Sequence, residues 1–255
     1  MNNNMTNTLR AYFKQQAELG IPDYIFTTPH TVERDAYPVA GESSEELNRV
    51  SESRNSEMDY AARRASLVEL YYEVKNCRGC PLSSTRSNLV FGAGNAGAPV
   101  MVVGEAPGRD EDLQGKPFIG KAGALLTKML AAIQLDREKD VFITNILKCR
   151  PPENRNPNHT EALACMPILR RQIAIVKPLI ILALGRIAAH ELLNVTEGIG
   201  KLRTETHNYN GIPVIVTYHP AALLRTEHYK RPAWEDLQKL QKILKEKGIN
   251  GTREN

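Results

Sequence analysis

The chain has 255 residues, enough for one large domain or two small ones with a sizeable core, and its hydrophobic content of 42% is ordinary for a water-soluble protein. The opening MNNNMTNTLR lacks the apolar stretch of a secretory signal and no apolar run approaches bilayer length, which excludes a helical membrane protein and leads us to expect a soluble, cytoplasmic one. The formal net charge of +4 is uneven: residues 1–60 hold 5 Lys/Arg against 10 Asp/Glu, and the rest hold 28 against 19, a balance that suits a polyanionic partner but is also common on soluble proteins.

In chain order, Leu9, Tyr12, Phe13 and Leu19 fit one face of a short helix, and Tyr24-Ile25-Phe26 forms an apolar patch suited to a contact with the body or with a protein partner. The polar stretch 27–59 has no periodicity and reads as a linker, so residues 1–60 are expected to be an acidic, largely flexible extension. The body is expected over 61–247, followed by a flexible tail at 248–255. A helix opens it, with Ala62, Leu67, Leu70, Tyr71 and Val74 near one face. Four short β-branched runs at 100–103, 141–146, 179–184 and 214–218 then read as buried parallel strands. Helical patterns lie between or after them at 123–133, at 160–176 with a break or kink near Pro167, from Gly185 through Leu193, and after Pro232 with Leu237, Leu240, Ile243 and Leu244 inward. The alternation predicts an α/β protein: a three-layer, doubly wound sheet of about four parallel strands flanked by helices.

In such sheets ligands bind beyond the carboxyl ends of the strands. Those ends carry Gly104-Glu105-Ala106-Pro107-Gly108, Asn145, Gly185 and Tyr218-His219-Pro220, so a carboxylate, an amide and an imidazole converge on one rim. Cys77 and Cys80 form a C-x-x-C, and Cys149 and Cys165 supply a wider pair. In an intracellular protein such a set points to a metal site rather than to disulfides, and spacing leaves both tetrahedral zinc and a cubane cluster open. Two motifs are set aside. Gly92-Ala93-Gly94-Asn95-Ala96-Gly97 fits the G-x-G-x-x-G pattern but precedes Pro99 and a strand, where a dinucleotide fingerprint follows one, so we read a turn. The acidic run Asp110-Glu111-Asp112 reads as a loop cap or a base contact rather than as a magnesium site.

Taken together, Cys77-Arg78-Gly79-Cys80-Pro81-Leu82, GEAPGRDED at 104–112, KPFIGKAG at 116–123, TNILKCRPP at 144–152 and YHPAALLR at 218–225 resemble the family 4 uracil-DNA glycosylases, the iron–sulfur branch of their superfamily. The resemblance spans about 77–244 and leaves out the first 60 residues. It implies a uracil-DNA glycosylase-like fold, a base-excision repair hydrolase that flips uracil from single- or double-stranded DNA, a monomer near the nucleoid, and a [4Fe–4S] cluster on Cys77, Cys80, Cys149 and Cys165. No catalytic metal ion is implied. Uracil would stack on Phe118, Asn145 would read its Watson–Crick edge, and Ala106, Gly108 and Glu111 would line the pocket, Glu111 at a position implicated in thymine exclusion. His219 would stabilise the leaving base. Ala106 replaces the water-activating aspartate of the best-known branch, as is usual in family 4, and Glu105 is our candidate for that role. Leu223, with Leu224 as runner-up, would fill the gap in the duplex, and Lys201, Arg203 and Arg225 would hold phosphates. A superfamily branch that traps uracil-DNA covalently through a histidine loop is one rival, although Gly200 to His207 does not match that loop by position. A zinc-stapled interaction domain is the other.

Overall fold

The computed structural model describes residues 44–249 and 251, with side chains from residue 59 onward. The helix expected near residues 9–19 and the Tyr24-Ile25-Phe26 patch lie outside the described residues. The first element, α1 (Ser44–Val74), is one continuous helix, so the boundary expected at 60–61 falls inside it. Its described part buries Leu67, Val68 and Leu70. Eight elements of the core follow: β1 (Ala93–Gly94), β2 (Val100–Gly104), α2 (Arg109–Gln114), α3 (Lys121–Ala132), β3 (Val141–Asn145), α4 (His159–Val176), β4 (Ile180–Leu184) and α5 (Arg186–Leu193). The chain closes with α6 (Ile199–Leu202), the hairpin β5 (Thr206–Tyr209) and β6 (Ile212–Thr217), α7 (Pro220–Arg225) and α8 (Lys230–Glu246).

The sheet order is β1-β3-β2-β4-β6-β5. The four expected strands are its parallel centre, β3-β2-β4-β6. Two short antiparallel edges were not expected: β1 on β3, inside the glycine-rich stretch read as a turn, and β5 on β6. β2, β3 and β4 are buried along their whole length, because helices cover both faces and each strand can be apolar throughout. Val100 and Val102 pack with α3 and α8, whereas Met101 and Val103 pack with α1, α4 and α5.

Local chemistry sets the helix ends. Asn158 and Glu161 form a capping box at the start of α4, and Arg155 grips the buried Glu161 carboxylate with two N–H groups at 2.9 and 2.6 Å. Of the break or kink expected at Pro167, the break is absent, since α4 runs through it. Pro167 and Leu163, whose carbonyl loses its partner, both face solvent, where water can satisfy it. Arg63 donates to the Val176 carbonyl at 2.7 Å and Arg171 pairs with Glu73, which fixes α1 antiparallel to α4.

Candidate active site

Chain connection reverses direction on the two sides of β2: β3 lies on one side of it and β4 on the other. The crevice at their carboxyl ends is the place where α/β sheets hold ligands. Asn145 ends β3, opposite Gly104 at the end of β2, and His219 follows β6. Asn145 is 1% exposed, yet its Oδ1 has no hydrogen-bond partner. A buried amide oxygen left unpaired costs about 1–3 kcal/mol, so this one marks a place for a donor from outside. Asn145 and Phe118 both press against the end of β2, where only glycine fits. A Cβ there would stand 2.3 Å from Asn145 Oδ1 and 2.6 Å from the Phe118 ring.

Phe118 closes the opposite side. It is 6% exposed, with its ring centroid 5.6 Å from that of His219 and the planes inclined by 35°. Its φ of 53° is left-handed, a conformation worth roughly 1–2 kcal/mol of strain in a non-glycine residue, so the surroundings must impose it. Glu111 Oε1 accepts from the Ile119 and Gly120 amides at 3.1 and 3.2 Å. From the other side, Arg137 donates to the Pro117 carbonyl at 2.8 Å and to Thr127 Oγ1 at 3.1 Å. Glu111 therefore meets the pocket through the loop that presents Phe118. Arg137 was invisible in the sequence, since a lone arginine between an α-helix and a strand carries no signal. Asp112 caps the Ser87 amide at 3.0 Å, as a loop cap should.

His219 caps α7, accepting from the Ala221 amide at Nδ1 over 3.2 Å. That bond puts the proton on Nε2, leaving an N–H for the pocket. Burial, with the Arg225 charge added, lowers its pKa to about 4, so the ring is neutral near pH 7. Glu105, just beyond β2, is held above the ordinary carboxylate range by burial, partly offset by Arg186 at the start of α5. Ala106 is half-buried against the larger core cluster. Gly108 starts α2, and its missing Cβ would stand 2.7 Å from Glu111 Oε2.

The surface expected to meet DNA needs two corrections. Leu223 is 3% exposed and packs in the core with α3 and α8, so it is no wedge; Leu224 is 53% exposed. The helical turn of α7 sends successive side chains to different faces, which spacing in a Leu-Leu pair cannot resolve. Arg203 is not available to a phosphate. It donates to Asp236 at 3.0 Å, to the Pro232 carbonyl at 2.6 Å and to Glu235 at 3.3 Å, tying the loop after α6 to α8. Lys201 and Arg225 are exposed. His207, from the loop weighed against a covalent trap, is bound to the Leu202 carbonyl at 2.7 Å.

The four cysteines are not disulfide-bonded, and all four line one cavity with Gly79, Arg86 and Lys148. Three of the sulfurs accept N–H bonds: Cys77 from the Gly79 amide at 3.4 Å, Cys149 from Arg86 at 3.1 Å and Cys165 from the Lys148 amide at 3.3 Å. Burial pushes the Cys149 thiol up and that of Cys165 to about 11, and the neighbouring sulfurs add to both shifts. Among the described residues, no three His, Cys, Asp or Glu are grouped for a single metal ion.

An unpaired amide oxygen, an aromatic ring and a neutral imidazole lie together at the switch point of a doubly wound sheet, which defines an α/β protein with its candidate site at the carboxyl ends of the strands. Comparison with known proteins gives the family. Residues 91–238 match the model of the uracil DNA glycosylase superfamily. Type-4 uracil-DNA glycosylases are similar over most of their length: that of Saccharolobus solfataricus is 45% identical over 69% of this chain and 86% of its own, and that of Archaeoglobus fulgidus 42% over 71% and 95%. The Thermotoga maritima protein of the same name is 41% identical over 72% of this chain and 98% of its own. The chain belongs to the uracil DNA glycosylase superfamily, and within it to the type-4 uracil-DNA glycosylases.

Proposed function

We propose that this protein removes uracil from DNA by hydrolysing its N-glycosidic bond, releasing the free base and leaving an abasic site for excision repair. The observation that carries the reading is the buried, unpartnered Oδ1 of Asn145 beside Gly104, which the Phe118 ring also approaches. With uracil stacked on Phe118, Oδ1 accepts from N3–H and the amide nitrogen donates to O4, whereas cytosine presents the opposite pattern. As the bond from N1 to C1′ breaks, its electron pair stays with the base, and His219 Nε2–H meets the charge growing on O2. Water adds to C1′ and gives its proton to Glu105, whose raised pKa makes it a stronger base than an exposed carboxylate. DNA contacts come from the basic body, with Lys201 and Arg225 on phosphates and Leu224 at the gap.

The test exchanges the reader. Asn145→Asp replaces the donor to O4 by a carboxylate oxygen, so single-turnover release of uracil from single-stranded oligonucleotides should fall by roughly 10²-fold or more, and slow cytosine release should appear. Near wild-type uracil release by this variant would sink the assignment.

The cysteine cavity fits the [4Fe–4S] cluster implied by the resemblance. Four thiols surround one space, and N–H donors reach three of the sulfurs, as they do for thiolate ligands. Cys77, Cys80, Cys149 and Cys165 would hold the cluster, which when bound cross-links the chain before β1 to the loop after β3 and to α4 and supplies no step of the hydrolysis. The purified protein should be brown with absorbance near 400 nm, and Cys149→Ala should lose both the colour and much of the soluble yield. A colourless, folded and active wild type would refute this. The N-terminal extension remains our candidate for a protein-binding segment.

A further inference from the structure

Lys148 is among the largest fully buried side chains of the protein, and it lies three residues beyond Asn145. A lysine buried without compensation is costly, so its partners indicate what the charge is there to hold. Its ammonium donates to the main-chain carbonyl of Asn145 at 2.5 Å and to Thr144 Oγ1 at 2.6 Å. Thr144 Oγ1 in turn donates to the Phe91 carbonyl at 3.0 Å and lies 3.1 Å from Gln172 Oε1, while the Gln172 amide donates to the same carbonyl at 2.9 Å. The main chain of Lys148 is fixed as well, its amide on Cys165 Sγ and its carbonyl accepting from Val90 at 2.8 Å.

We propose that Lys148 is a positioning residue for Asn145: its ammonium, bonded to the last two residues of β3 while its main-chain amide is held by Cys165, sets the backbone from which the amide reads the base. The inference rests on the reading of Asn145 given above. Asn145 is the last residue of β3, paired with Gly104. Beyond that pair, the Ile146 amide donates to the Gly104 carbonyl at 2.9 Å and the Leu147 amide to the Glu105 carbonyl at 3.0 Å. These bonds hold the N–H side of the peptide after Asn145 and leave its carbonyl side to Lys148. The side-chain amide has no partner of its own at Oδ1. Its aim is therefore set by the main chain, and the ammonium supplies the charged hydrogen bond at that carbonyl.

The test is a double-mutant cycle in the full-length protein, with uracil release measured under single-turnover conditions. Lys148→Met keeps the length of the side chain and removes the donor. It should release uracil roughly 10- to 100-fold more slowly, the loss expected from an ångström-scale misplacement. Affinity for the same oligonucleotide and absorbance near 400 nm should stay at wild-type levels. In an Asn145→Ala background the same change should have no further effect, because a residue that works only through Asn145 has nothing left to position. Thr144→Val, which leaves the lysine in place but takes away one acceptor, covers the case in which Lys148→Met fails to fold. It should cost a few-fold in the wild-type background and nothing beside Asn145→Ala. Equal losses in both backgrounds would overturn the proposal while leaving the reading of Asn145 intact. Wild-type rates for Asn145→Ala alone would overturn that reading and the proposal with it.

Discussion

His219 works without a charge of its own. Its Nδ1 is taken by the Ala221 amide and its pKa is lowered to about 4, so Nε2–H is present across the physiological range. His219→Ala should slow the chemical step by roughly 10²–10³-fold, the usual loss for one donor to a developing oxyanion, with less effect on DNA affinity. Loss of binding with intact single-turnover chemistry would make it a DNA contact instead. The pH profile separates the two titrating groups. His219 should contribute no step near pH 6.5, the ordinary histidine value. Glu105, raised above 4.5, loses its role as a base when pH falls through its own pKa, so it sets the first acid limb. Glu105→Gln should lower the rate and remove that limb, and a limb unchanged in the variant would assign it elsewhere. The folded state also binds fewer protons at His219 than the unfolded chain does between about pH 4 and 6.5, so this group's contribution to stability declines as pH falls through that window. Asn145 and His219 stand at or just after strand ends, as their places in the sequence indicated, whereas Phe118, between α2 and α3, was singled out only by the motif at 116–123 that carries the resemblance. Arg203 and Lys148 were not legible: the first is held by residues about 30 positions away, and the second reads in sequence as one more cation beside Arg150.

Among the elements, the central strands were legible because burial on both faces demands unbroken apolar runs. The edges were not. β1 has two residues, and β5 is the half-exposed sequence Thr206-His207-Asn208-Tyr209, so neither carries enough apolar signal to stand out. The helix α7 shows the same limit in miniature, since only the fold decides which of its two leucines is core. This divides their expected effects. Leu223→Ala should destabilise the protein by about 2–5 kcal/mol, as a deletion in a packed core does. Leu224→Ala should leave unfolding nearly unchanged and lower uracil release from double-stranded DNA more than from single-stranded DNA, where no gap needs filling. Denaturation curves and paired substrates give both readings, and an equal loss on both substrates for Leu224→Ala would remove it from the duplex.

For the whole molecule, the distribution of charge makes the extension separable from the chemistry. Every residue placed at the pocket lies between 104 and 219, whereas the acidic excess lies before residue 60. A protein beginning at Asp59 loses nine acidic and five basic residues, which raises the formal net charge from +4 to +8. It keeps the contacts by which α1 packs on α4, including Arg63 with Val176 and Glu73 with Arg171. Its single-turnover rate on short oligonucleotides should therefore match that of the full chain. Its affinity for undamaged DNA should be higher at low salt, because fewer like charges oppose the phosphates, and the two proteins should converge as added salt screens them. A large fall in the rate of a stably folded truncated protein would show instead that the first part of the chain helps to build the pocket. Unchanged affinity at low salt would mean that its acidic residues lie beyond a Debye length from the bound DNA.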